Sequence, residues 1–107
     1  MTAGRLHRIK KDNLKPYLQF QLFNPDGSPR NLSGSTLTFT MRKPGQTKKV
    51  DAGVCTAINA NIGLYEYRFT GTQTSESGTF QGEVTINGNE TYPTEGYIVV
   101  EVTDDLS

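Results

Sequence analysis

Apolar and polar residues alternate one by one along most of this chain, and no window carries the spacing of an amphipathic helix. "YLQFQLF" sets Leu18, Phe20 and Leu22 on one side, with Gln19 and Gln21 on the other. "TLTFTMR" sets Leu37, Phe39 and Met41 against Thr36, Thr38, Thr40 and Arg42. "VCTAI" divides Val54, Thr56 and Ile58 from Cys55 and Ala57. "LYEYRF" divides Tyr65, Tyr67 and Phe69 from Glu66 and Arg68, and "TFQGEVTI" divides Phe80, Val84 and Ile86 from Gln81, Glu83 and Thr85. "YIVVEV" places Ile98, Val100 and Val102 together. Successive side chains of a strand point to opposite faces, so each run reads as a strand with one apolar face.

Turn residues separate the runs: Asp26-Gly27, Ser33-Gly34, Pro44-Gly45, Asn61 to Gly63, Gly71 to Gly78, Asn87-Gly88 and Pro93 to Gly96. Asn87-Gly88 is the strongest hairpin signal, since a tight turn between strands needs left-handed backbone that Asn and Gly supply. About seven short strands with one apolar face each cannot form a single sheet without wetting that face. They predict an all-β fold, a single antiparallel β-sandwich. With 107 residues the chain fits one domain. Residues 1–13 read as a basic arm or edge strand, 14–103 as the sandwich and 104–107 as a short acidic tail.

The formal charge is zero, but its distribution is lopsided. All eleven Lys and Arg fall within residues 1–68 against four acids, whereas 69–107 hold seven acids and no base. Either the halves interleave and neutralise one another, or a basic face of one copy meets an acidic face of the next. For the second arrangement the candidate interface residues are Arg5, Arg8, Lys10, Lys11 and Lys15, facing Glu101, Asp104 and Asp105.

Reactive residues are sparse. His7 is the lone histidine, lying in the basic segment, and Cys55 is the lone cysteine, inside a predicted strand without a charged neighbour. These patterns suit an edge-strand imidazole and an inert thiol; no disulfide can form within the chain. Glu66, Glu83 and Glu101 each sit between apolar residues and are expected to face outward. Nothing raises one of them to a catalytic role, and no residue set points to a metal or cofactor. No apolar run reaches the length of a membrane span, and no signal-peptide core follows the basic start. The balanced charge and the core parity of Tyr65 and Tyr67 argue against nucleic acid. A sugar ring is the small ligand the composition suits best, with Tyr17 and Tyr97 as the outward candidate aromatics and Tyr92 beside them.

The order of the segments is more distinctive than any one of them. "LKPYLQFQLFNPDGSPRNLSGSTLTFTMRKPG", then "NIGLYEYRFT", then "SESGTFQGEVTINGNETYPTEGYIVVEV" span about Leu14 to Val102. This order resembles the small N-terminal domain of tailed-phage baseplate upper proteins and related phage Ig-like tail proteins. The resemblance implies an Ig-like sandwich serving as a non-enzymatic structural part of a virion, assembled in the bacterial host cytoplasm. Its implied partners are other virion proteins and further copies of itself. Open alternatives are a carbohydrate- or host-surface-binding module and a capsid or neck decoration protein. "ESGTFQG" departs from antibody-type domains, because Phe80 stands where they carry the corner tyrosine and Gly82 where they carry a cysteine.

Overall fold

The computed structural model describes residues 5–93 and 96–104. Among these, the strands are β1 (Arg5–Lys10), β2 (Leu18–Gln21), β3 (Leu37–Arg42), β4 (Lys48–Val54) and β5 (Thr56–Asn59), followed by β6 (Leu64–Tyr67), β7 (Gly78–Ile86), β8 (Glu90–Tyr92) and β9 (Ile98–Thr103). A larger sheet runs β1-β9-β7-β3-β4, with β8 paired to the second half of β7, and a smaller sheet runs β2-β6-β5. The chain is all-β, and the two sheets face each other as a sandwich. Strand pairs are antiparallel except β1 and β9, which run parallel with Leu6 opposite Val99 and Arg8 opposite Glu101.

The core is built from the alternation. Leu37, Phe39 and Met41 of β3, Phe80, Val84 and Ile86 of β7, and Ile98, Val100 and Val102 of β9 are all buried. Leu18 and Phe20 of β2 and Tyr65 and Tyr67 of β6 supply the facing layer. Across the gap the rings of Phe39 and Tyr67 lie 5.0 Å apart, and Phe69 stands edge-on to Tyr67 at 5.2 Å. Nearer the other end Phe20 stacks on Tyr65 and Tyr92. Burying each such side chain stabilises by about 1.5–3 kcal/mol. Buried tyrosine hydroxyls need partners, and both core tyrosines have one. Tyr65 donates to the Leu32 carbonyl at 3.2 Å, and Tyr67 donates to Gln73 Oε1 at 2.8 Å.

The described residues contain nine strands, where the alternation gives about seven. β1 is one addition: the N-terminal segment adopts its edge-strand alternative, burying Ile9 and setting the His7 ring 6.0 Å from Phe69. β8 is the short return of the Asn87-Gly88 hairpin, whose two turn residues have φ of 52° and 74° as that turn requires. β4, "KKVDAGV", has no alternation because two register shifts against β3 interrupt its pleat, leaving Val50 as its buried residue.

The run "VCTAI" is not one strand. β4 ends at Val54, the Cys55 amide donates to the Leu37 carbonyl at 2.8 Å, and Thr56 then pairs opposite Glu66 in the other sheet. One residue carries the chain between sheets, so alternation persists while the sheet changes, and Cys55 alone of these five is buried. A second expectation is also corrected. Glu66 does not face solvent: it is 5% exposed, lying under Arg68, whose Nε donates to its Oε2 at 2.6 Å.

Candidate functional site

The outer face of the larger sheet carries a polar hollow. Antiparallel pairing sets Thr40 opposite Glu83 and Arg42 opposite Gln81, and on the other side of β3 sets Arg42 opposite Lys48. Their side chains share the face turned away from Phe39, Met41 and Val84. Tyr97 enters β9 one residue before the buried Ile98, so its parity aims it outward. With Thr85 and Met41 these residues line a cavity of about 310 Å³. Among the described residues, Arg42, Gln81, Glu83, Thr85 and Tyr97 have no side-chain hydrogen bond or ion pair within the chain. Thr40 accepts from the Ala52 amide through Oγ1 at 3.0 Å, and Lys48 approaches Asp51 at 3.7 Å.

The sequence-predicted interface residues are dispersed. Arg8 and Glu101 meet within one chain, Nε to Oε1 at 2.8 Å, as neighbours on β1 and β9. Lys10, Lys15, Arg8 and Pro16 border a shallow open groove beside β1, with Lys15 Nζ 5.7 Å from the Tyr17 ring centre. Lys11 is exposed, and its amide donates to the Thr103 carbonyl at 2.8 Å. Asp104 is exposed just beyond β9. The Arg5 side chain and Asp105 lie outside what the structure describes.

Among the described residues, three ion pairs join the basic half to the acidic half inside the chain: Arg8–Glu101, Arg30–Glu90 and Lys43–Glu76. Arg30 grips Glu90 with two bonds, at 2.6 and 2.7 Å. Its guanidinium holds the Glu90 carboxyl below its usual range, and Lys43 does the same for Glu76 through a bond of 2.8 Å. The neutralising arrangement is therefore built from β1 beside β9 and from loops of the first half crossing to the second.

The candidate aromatics do not form one platform. Tyr17 precedes β2 in the smaller sheet and is half-buried, with the Arg68 guanidinium 5.1 Å from its ring centre. Tyr92 packs on Phe20 at the core margin. Tyr97, 43% exposed, borders the hollow on the larger sheet. His7 Nε2 lies 3.0 Å from the Pro16 carbonyl. Cys55 is buried, and burial pushes its thiol up to about 12. No group of three or more His, Cys, Asp or Glu converges as a metal site among the described residues.

Arg42, Lys48, Gln81, Glu83 and Thr85 were not assembled as a site from the sequence. The outward parity of all but Lys48 is legible in "TLTFTMR" and "TFQGEVTI"; the adjacency of β3 and β7 depends on pairing residues some forty positions apart. Comparison with family models, with curated proteins and with solved structures finds no match to this chain.

Proposed function

We propose that this chain is a non-enzymatic structural component that assembles through its surfaces, in the virion of a tailed bacteriophage. The segment order supports the virion setting, and Ig-like architecture belongs to the same reading. The observation that carries assembly is β5. It closes the smaller sheet at one edge, all four of its residues are exposed, and "TAIN" contains neither charge nor proline. Free backbone groups on such an edge template another strand; β5 carries no lysine or proline to prevent this, and its one irregularity is a register shift against β6 between Ala57 and Asn59, which leaves Ile58 outside the paired positions. Here Ile58 is 44% exposed on β5 and Val54 is 70% exposed at the end of β4. The open edges of both sheets therefore meet at Cys55 and present apolar side chains beside unpaired backbone. A strand from a neighbouring subunit would satisfy both.

This moves the contact away from opposed charges. Arg8 and Glu101 are already spent on each other, so salt is a minor lever and the β5 edge the major one. The test is light scattering of the purified chain over a range of concentration, with negative-stain images of the same fractions. Defined oligomers that Ile58→Lys and Ala57→Pro convert to monomers are the expected result. A strict monomer at every concentration, or oligomers indifferent to both substitutions, overturns the edge mechanism.

A further inference from the structure

We infer that the hollow on the outer face of the larger sheet is a binding site for an acidic sugar, a pyranose ring bearing a carboxylate. The inference is independent of the assembly reading, since it uses a different face of the molecule. Its volume of about 310 Å³ falls at the lower end of small-ligand pockets, which run from roughly 300 Å³ upward. Such pockets are mostly apolar, whereas this one is lined by Arg42, Lys48, Gln81, Glu83 and two threonines, with Met41 and one aromatic ring. A polar lining with one ring matches a ligand that has hydroxyls around its edge and C–H groups on its face.

The charges select the acidic member of that class. Arg42 and Lys48 sit directly opposite each other across β3 and β4, an arrangement that like charges make unfavourable. Asp51 reaches Lys48 only at 3.7 Å, and no carboxylate of the described residues reaches Arg42. Glu83 is a diagonal neighbour of Arg42 by register, yet the two are not ion-paired. A ligand carboxylate placed between Arg42 and Lys48 relieves their repulsion and takes up the planar fork of the guanidinium. Glu83, an acceptor only when ionised, and Gln81, which both donates and accepts, then face the hydroxyls one strand away. Tyr97 stands beside Glu83 at the entry to β9, where its ring covers the sugar face. A cation pair on β3 and β4, a carboxylate on β7 and a ring at the entry to β9 thus lie on neighbouring strands around one hollow.

The experiment is an amide-shift NMR titration of the full chain with sodium glucuronate, run beside glucose and sodium acetate. Glucuronate is expected to give saturable shifts at Thr40, Arg42, Gln81 and Glu83 and to bind more tightly than either control. Arg42→Gln is expected to weaken it about tenfold, the scale of a lost charge-assisted hydrogen bond. Tyr97→Ala is expected to weaken it about fivefold, the scale of a lost ring contact. Both positions are exposed, and the same spectra report that the variants remain folded. No saturable shift, acetate or glucose binding as tightly as glucuronate, or indifference to both substitutions overturns the assignment.

Discussion

The ring of Tyr67 lies across Gly53 so closely that a Cβ at that glycine would stand 2.6 Å from the ring carbon Cε1. Gly53 belongs to β4 of the larger sheet and Tyr67 to β6 of the smaller, so this contact sets how near the sheets can come. The ring cannot retreat freely, because its hydroxyl is held by Gln73 and its face by Phe39. Gly53→Ala is therefore expected to cost about 1–3 kcal/mol by overpacking. Tyr67→Phe, which removes only the hydroxyl, is expected to cost about 1 kcal/mol. Urea unfolding of the two variants beside the parent checks the order; an unchanged midpoint for Gly53→Ala would contradict this packing.

Acid should unfold the protein in a way that traces to particular ion pairs. Glu90 and Glu76 both titrate below the ordinary value of 4.5 in the folded chain, because Arg30 and Lys43 bond their ionised forms. A depressed folded value means the unfolded chain takes up protons first as pH falls. The stability from these pairs is complete above the unfolded value and is lost as pH drops from about 4.5 through the lower folded values. Melting temperature measured from about pH 7 to about pH 3 should thus decline on the acid side. Arg30→Gln should make that decline shallower by removing the Glu90 share. Both carboxylates are largely exposed, so the effect is modest and shrinks further in salt.

Period-two patterning made the core readable before any coordinates: Leu37, Phe39, Met41, Phe80, Val84, Ile86, Ile98, Val100 and Val102 all fall inside as their parity requires. The hairpin at Asn87-Gly88 was equally plain, since its backbone demand is local. The patterning misleads where it does not change as the sheet does. Through Val54, Cys55 and Thr56 alternation is unbroken although the chain passes from one sheet to the other. At Glu66 alternation predicts exposure, but Arg68 two residues on bonds the carboxylate, which is 5% exposed. The hollow at Arg42, Glu83 and Tyr97 needed the order β9-β7-β3-β4, which no local rule supplies. The same holds for Arg8 and Glu101, ninety-three residues apart and adjacent only because β1 lies parallel to β9.

Cys55 offers a clean probe of whether β4 and β5 stay docked. Burial pushes its thiol up to about 12, so near neutral pH the nucleophilic thiolate is scarce, and the side chain is also shielded. Reaction with a thiol reagent at about pH 8 should therefore be far slower than for an ordinary exposed cysteine, whose value lies near 8.5. Adding denaturant past the unfolding midpoint should restore the ordinary rate. Fast labelling of the native protein would mean the crossing between sheets opens readily on its own. Cys55→Ser is expected to destabilise, since it buries a hydroxyl at the site where the chain changes sheets.

Arg68 ties two features together, and its removal should show which matters more. It neutralises the buried Glu66 carboxylate and also lies over the ring of Tyr17, 5.1 Å from its centre. The hydrogen bond to Glu66 raises the affinity of the Arg68 guanidinium for its proton. Arg68→Ala leaves a buried carboxylate without its cation, and the denaturant midpoint is expected to fall. Arg68→Lys keeps a charge but loses the flat fork that both bonds Glu66 and stacks on Tyr17, so it should recover only part of that loss. Tyr17→Ala removes the ring and leaves the ion pair, so its cost should be about 1 kcal/mol or less, the scale of an exposed cation–ring contact. Denaturant midpoints for the three variants separate the contributions. If Tyr17→Ala costs as much as Arg68→Ala, the ring contact and not the buried carboxylate governs this corner. If Arg68→Ala costs nothing, the cation is not what makes the buried Glu66 tolerable, and this account of the corner fails.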